Sequence, residues 1–153
     1  MERNPKKVVF LIGQFLNENH GPTKTVLDRC EIMSEKMNCQ SIIVNTNELR
    51  GINGYIPYCW FFWGNMRSGG ANYDAIQYHE KNYPYYECSG TMLNLPEIEA
   101  VVNLVRMINP FCIFMVGDSS ICADLCSNYY PLIDVATVPS GIMTTEGQFL
   151  LKG

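Results

Sequence analysis

The sequence predicts an α/β fold: a three-layer, Rossmann-like sandwich with a mostly parallel sheet and an inserted antiparallel aromatic hairpin. Three observations carry this. Val8-Val9-Phe10-Leu11-Ile12 and Phe111-Cys112-Ile113-Phe114-Met115-Val116 are apolar on both faces, as strands covered by helices on both sides must be. Apolar runs of this kind alternate with segments of helical period, the order that builds right-handed parallel crossovers. Between about residues 55 and 90 the alternation breaks, and most of the aromatic residues collect there.

The first strand is read over 6–12 and ends at Gly13. A loop over 14–20 leads to Gly21-Pro22-Thr23, where a helix is predicted to run to about Met37. Proline suits a first helical turn, because its missing N–H has no intrahelical acceptor there. Val26, Leu27, Cys30, Met33 and Met37 recur at helical spacing and form the buried face. Asn38 can take the left-handed conformation that stops a helix. Ser41–Thr46 is the next strand. The middle holds Tyr55-Ile56-Pro57-Tyr58-Cys59-Trp60-Phe61-Phe62-Trp63 and a loop with Gly64, Gly69 and Gly70. Residues 75–79 and 83–88 then read as two antiparallel strands around a Glu80-Lys81-Asn82 turn. Ile76 and Tyr78 face inward, Gln77 and His79 outward.

Regular alternation resumes at Pro96, which opens a helix with Glu97 and Glu99 in its first turn, favourable against the dipole. Ile98, Val101, Val102, Val105 and Ile108 form its apolar face, and Asn109-Pro110 ends it. The strand over 111–116 runs into Gly117-Asp118-Ser119-Ser120 and a short helix to about Asn128. Pro131 precedes a last strand over 133–138, which ends in Pro139-Ser140-Gly141. The tail over 142–153 shows no pattern. No internal repeat or linker divides the 153 residues, so they read as one Rossmann-like lobe.

Composition narrows the function classes. A hydrophobic share of 47% is enough for a real core. Eleven basic residues against fifteen acidic ones give a net charge of −4, and the basic residues are scattered, which argues against nucleic acid. No segment is apolar enough for a transmembrane span and no apolar signal region follows Met1. A cytoplasmic location is expected. Seven cysteines, most of them inside apolar patterns, then read as free buried thiols. Cys122 and Cys126 are one helical turn apart, but no histidine or second cysteine pair lies nearby, so neither a metal nor another cofactor is expected.

In a sheet of this kind ligands bind beyond the carboxyl ends of the strands. Three loops qualify: Gly13 to Pro22, Gly117 to Ser120, and Pro139 to Gly141. The first opens a helix, whose leading N–H groups and dipole favour an anion. It supplies Gly13, His20, Gly21 and Thr23 as phosphate-facing candidates; the other two supply Asp118, Ser119, Ser140 and Gly141. Asp118-Ser119-Ser120 also reads as a helix N-cap. The dinucleotide fingerprint fails, since the glycine after Gly13 is Gly21. The phosphate loop of NTPases fails too, because Thr23 stands where a glycine should precede Lys24. Of the two imidazoles, His20 and His79, His20 is better placed for function. No catalytic residue is assigned.

Taken in order, the chain resembles the N-terminal lobe of a two-domain (GT-B) glycosyltransferase of the retaining, family-4-like kind found among bacterial glycan- and protein-glycosylating enzymes. The resemblance rests on Lys7–Ile12 leading to His20-Gly21-Pro22-Thr23, on Ile108-Asn109-Pro110-Phe111-Cys112-Ile113-Phe114, and on Pro131–Gly141. It implies a lobe that faces the acceptor side. The nucleotide-sugar donor would be held by a second lobe that these 153 residues do not include. Many members place a histidine near the end of a late strand, where Thr137-Val138-Pro139-Ser140 has none. The loop around Gly21 would face the donor phosphate, and Tyr78, His79 and Tyr85 would lie toward a glycan, lipid or protein acceptor. By itself the lobe would be inactive, and its apolar cleft edge could make it self-associate. A rival reading keeps the fold and makes the chain a non-catalytic module that binds a protein partner through the aromatics of 55–63 and 73–86. A third is another small α/β domain of flavodoxin-like type.

Overall fold

A computed structural model describes residues 2–16, 19–48, 72–88, 94–117, 120–136 and 149–152. In chain order the elements are β1 (Asn4–Ile12), α1 (Gly21–Met37), β2 (Gln40–Asn45), β3 (Asn72–Tyr78), β4 (Lys81–Glu87), α2 (Leu95–Ile108), β5 (Pro110–Val116), α3 (Ile121–Cys126), β6 (Leu132–Ala136) and β7 (Phe149–Lys152). The strands form one sheet of seven in the order β3-β4-β2-β1-β5-β6-β7. Every neighbouring pair is parallel except β3–β4.

The sheet is the middle layer of three. On one face Val26, Leu27 and Cys30 of α1 pack on Val8, Phe10, Ile12 and Ile43, and the Phe10 and Phe114 rings stack at 4.8 Å. On the other, Ile98, Val101 and Val105 of α2 with Cys122 and Cys126 of α3 cover Val9, Leu11, Val44, Ile113 and Met115. Alternate residues of β1 therefore serve opposite cores, and this is why its sequence shows no polar alternation. The α/β sandwich read from the sequence is the fold observed.

Helix ends follow their local chemistry. Asn38 and Asn109 both adopt the left-handed conformation (φ 51° and 52°) and close α1 and α2. The helix over 95–108 begins one residue before Pro96, because Asn94 caps it by accepting the Glu97 N–H at 3.0 Å. α3 stops at Cys126 rather than near Asn128, and the N–H groups of Tyr129 and Tyr130 both turn back to the Cys126 carbonyl.

Three features depart from the sequence reading. The aromatic hairpin is part of the main sheet: β4 pairs in parallel with β2, Ile43 opposite Tyr85 and Asn45 opposite Glu87. Its turn is His79-Glu80 rather than Glu80-Lys81-Asn82, with both φ positive (48° and 67°) and Tyr78 opposite Lys81. Those angles are the ones a two-residue hairpin turn requires, and His79 and Lys81 tie the turn to Glu31 and Glu35 of α1. Finally, the patternless tail contains β7, which pairs in parallel with β6. A four-residue strand is too short to show a period, and pairing along β6 decides it. The last predicted strand is seen as β6 over 132–136; residues 137–138 lie outside the described residues.

Candidate functional site

From β1 the chain crosses to β2 on one side, and from β5 it crosses to β6 on the other. The switch point therefore lies between β1 and β5, where such sheets open a crevice at their carboxyl edge. Gly13 and Gly117 leave the sheet there. Gly117 has φ +128°, which a side chain would strain, and its N–H donates to the Val135 carbonyl at 3.1 Å.

The loop after β1 is anchored inward. Phe15 is fully buried and its ring lies 5.1 Å from Tyr85, and Gln14 is buried as well. Thr23, with no exposed surface, holds the loop to α1: its hydroxyl accepts the Leu16 N–H at 2.9 Å and lies 2.7 Å from His20 Nδ1. With Leu16 on one of its two lone pairs, the Thr23 oxygen can meet Nδ1 as donor or as acceptor, and the imidazole proton sits on Nε2 where Thr23 donates. Partial burial pushes the His20 pKa down, which favours the neutral ring. His20 itself is extended at the N-cap position, and the Lys24 N–H donates to its carbonyl at 3.0 Å. The N-cap residue His20 makes no capping hydrogen bond with its side chain, and no acid sits in the first turn of α1. A Cβ added at exposed Gly21 would meet nothing within 4 Å. Of the residues singled out in the sequence, His20, Gly21 and Thr23 thus form the start of α1, with His20 and Thr23 in contact, and Gly13 directly follows β1.

The N-terminus of α3 is built differently. Ser120 Oγ accepts the Ala123 N–H at 3.0 Å and donates to Glu48 Oε1 at 2.6 Å, while the Ile121 N–H donates to Glu48 Oε2 at 2.7 Å. Glu48 is 5% exposed, so the protein's own carboxylate occupies this position. Sequence reasoning gave Ser120 its capping role and missed Glu48. The available signal was the polar run Asn45-Thr46-Asn47-Glu48 directly after an apolar strand. Asp118, Ser119, Ser140 and Gly141 lie outside the described residues, as does the aromatic run over 55–63.

A second buried network closes the carboxyl ends of β2 and β4. Glu87, 2% exposed, accepts the Tyr85 hydroxyl at 2.6 Å and Asn45 Nδ2 at 3.3 Å. Asn45 Nδ2 also reaches the Tyr85 oxygen at 3.0 Å, and Asn45 Oδ1 accepts the Asn47 N–H at 3.0 Å. Tyr85 has no exposed surface, so its place is in this network and not against an acceptor. Tyr78 is 3% exposed and donates to Asp28 Oδ1 at 2.7 Å. Exposed His79 places Nδ1 2.6 Å from Glu31 Oε2. Because β3 runs against the rest of the sheet, Tyr78 and His79 lie toward the edge opposite Gly13 and Gly21.

No protein-family model, curated protein or solved structure matches this chain. Its chemistry must therefore be read from its own groups. Among the described residues, no three His, Cys, Asp or Glu side chains are grouped to hold a metal ion, and no helix is long and apolar enough to cross a membrane. Six cysteines fall among the described residues; all are free, and all but Cys39 are buried. Burial pushes the thiols up, to about 12 for Cys30 and Cys126 and about 11 for Cys112. Cys88 and Cys122 move the same way, first by burial and then by the nearby carboxylates. Thiols raised in this way are poor nucleophiles. What the start of α1 offers an anion is the leading backbone N–H groups of a helix, with the His20 imidazole beside them.

Proposed function

We propose that this chain is the N-terminal, acceptor-side lobe of a GT-B glycosyltransferase, whose whole enzyme moves a sugar from a nucleotide-diphosphate sugar to a glycan, lipid or protein hydroxyl. One observation supports the reading most: at the switch point, the N-cap residue of α1, His20, makes no side-chain capping bond, and no acid sits in the helix's first turn. The two other described helices carry side-chain caps, α2 with Glu97 in its first turn and α3 against Glu48. The resemblance in element order and the parallel sheet agree with it.

In this reading the leaving diphosphate gains negative charge as the sugar departs, and α1 stabilises that charge without covalent chemistry. The dipole contributes about 0.3–1 kcal/mol at an exposed terminus and up to about 2 where it is partly buried. His20, held through Nδ1 by Thr23, has Nε2 left for hydrogen bonding, as a donor in the tautomer that Thr23 Oγ–H donation to Nδ1 selects. The sugar and nucleoside would be held by the second lobe.

Titrating UDP into the chain tests the lobe reading. Few contacts and no nucleoside pocket predict that binding stays unsaturated at about 1 mM, the equivalent of about 4 kcal/mol. A micromolar Kd would mean that the chain holds a nucleotide unaided, and would contradict the assignment.

A further inference from the structure

At the opposite, amino edge of the sheet, a cleft of about 580 Å³ opens between the start of β1, the end of α2 and the turn after α3. Arg3, Asn103, Arg106, Met107, Tyr129 and Tyr130 line it, with no acidic residue among its described lining. Both arginines are held in place by aromatic rings. The Arg106 guanidinium carbon lies 4.3 Å from the centre of the Tyr129 ring. That of Arg3 lies 4.9 Å from Phe111, while its Nη1 donates to the Phe111 carbonyl at 3.0 Å. Stacking of this kind uses the face of a guanidinium and leaves edge N–H groups for a further acceptor.

Among the described residues neither guanidinium pairs with a carboxylate; the ion pairs there involve Lys24, His79 and Lys81. The floor is fixed, since the Tyr130 hydroxyl donates to Asn109 Oδ1 at 3.0 Å and Asn109 Nδ2 donates to the Glu2 carbonyl at 2.6 Å. The rim is apolar and open: Met107 is 83% and Tyr129 51% exposed. Arg106 also complements the C-terminal dipole of α2. A dipole needs only one cation, and it explains neither Arg3 nor the stacked aromatics.

We propose that this cleft binds a phosphomonoester carried on an apolar or aromatic body, with Arg3 and Arg106 taking the phosphate and Tyr129 and Met107 covering the body. The two positive charges match a group that carries between −1.5 and −2 near pH 7, roughly speaking, and forked guanidinium donors suit phosphate oxygens. The site lies across the sheet from the α1 crevice and does not depend on the proposed function.

The test is a titration of the 15N-labelled chain with phenyl phosphate at low salt, followed through arginine side-chain and backbone resonances. Saturable binding is expected with Kd at or below about 1 mM, a level two charge-assisted contacts can reach. Arg3→Gln and Arg106→Gln should each weaken it at least about tenfold, and Arg106→Lys by less than Arg106→Gln. Phenol, benzoate and inorganic phosphate should each bind more weakly than phenyl phosphate. Both substituted side chains are exposed, and unchanged thermal melts will show that the three variants fold. No saturation by about 10 mM, unchanged affinity in both glutamine variants, or phenol, benzoate or inorganic phosphate binding as tightly as phenyl phosphate would each overturn the proposal.

Discussion

The N-termini of α1 and α3 flank one switch point, each reached from a strand followed directly by glycine, yet the chain finishes them in opposite ways. At α3, Ser120 and the Glu48 carboxylate take the leading N–H groups. At α1 the N-cap residue His20 makes no side-chain capping bond and the first turn holds no acid, while the Thr23 hydroxyl fastens the preceding loop. A glycine before a helix is thus only half of an anion site. The other half is whether a carboxylate from elsewhere has already filled it, and Glu48 comes from 72 residues away.

Removing that carboxylate gives the largest expected effect. Glu48→Ala leaves the Ser120 hydroxyl and the Ile121 N–H without their buried acceptor and should cost about 2–4 kcal/mol in urea unfolding. Glu48→Gln, which keeps one acceptor oxygen, should recover part of it. A loss under about 0.5 kcal/mol, the scale of an ordinary surface change, would erase the contrast between the two helices.

Next comes Thr23→Val, which keeps the shape and deletes the acceptor of the Leu16 N–H. About 1–2 kcal/mol should be lost, and Thr23→Ser should restore most of it. Chemical denaturation of the three proteins side by side would decide.

The His20 prediction concerns pH. Burial lowers its folded-state pKa below the usual 6.5. As pH falls through about 6.5 the unfolded chain takes up a proton that the folded chain refuses, so stability falls on acidification and levels off below the folded value. Thermal melts between neutral pH and pH 5 should show this loss, and His20→Gln should reduce it. Stability rising on acidification only when His20 is present would have the wrong sign.

The smallest change sharpens the comparison most. Gly21→Asp places at α1 the kind of charge that α3 already has. It should raise stability by about 0.3–1 kcal/mol, through the dipole and the loss of a helical glycine, and abolish any anion response of α1.

The layers of the fold were legible in the sequence because they depend on local period. Val8–Ile12 and Phe111–Val116 read as central strands because they are apolar on both faces, and Asn38 and Asn109 mark where the neighbouring helices stop. The join between β4 and β2 was not legible, since Tyr83-Pro84-Tyr85 alternates equally well in a free hairpin and at a sheet edge. The places of Gly13 after β1 and of His20, Gly21 and Thr23 at the start of α1 were legible because they are contiguous with strand and helix. Glu48, Glu87 and Asn45 were missed because their roles arise from contacts between distant segments, and no spacing rule encodes such contacts.

The contrast between the two helices is tested most directly by following backbone amides of the 15N-labelled chain while UDP is raised to about 10 mM, above the weak affinity expected. Shifts should appear at Gly21, Thr23 and Lys24, stay absent at Ile121, Cys122 and Ala123, and vanish in Gly21→Asp. Shifts centred on the α3 amides, or none at α1, would contradict the account.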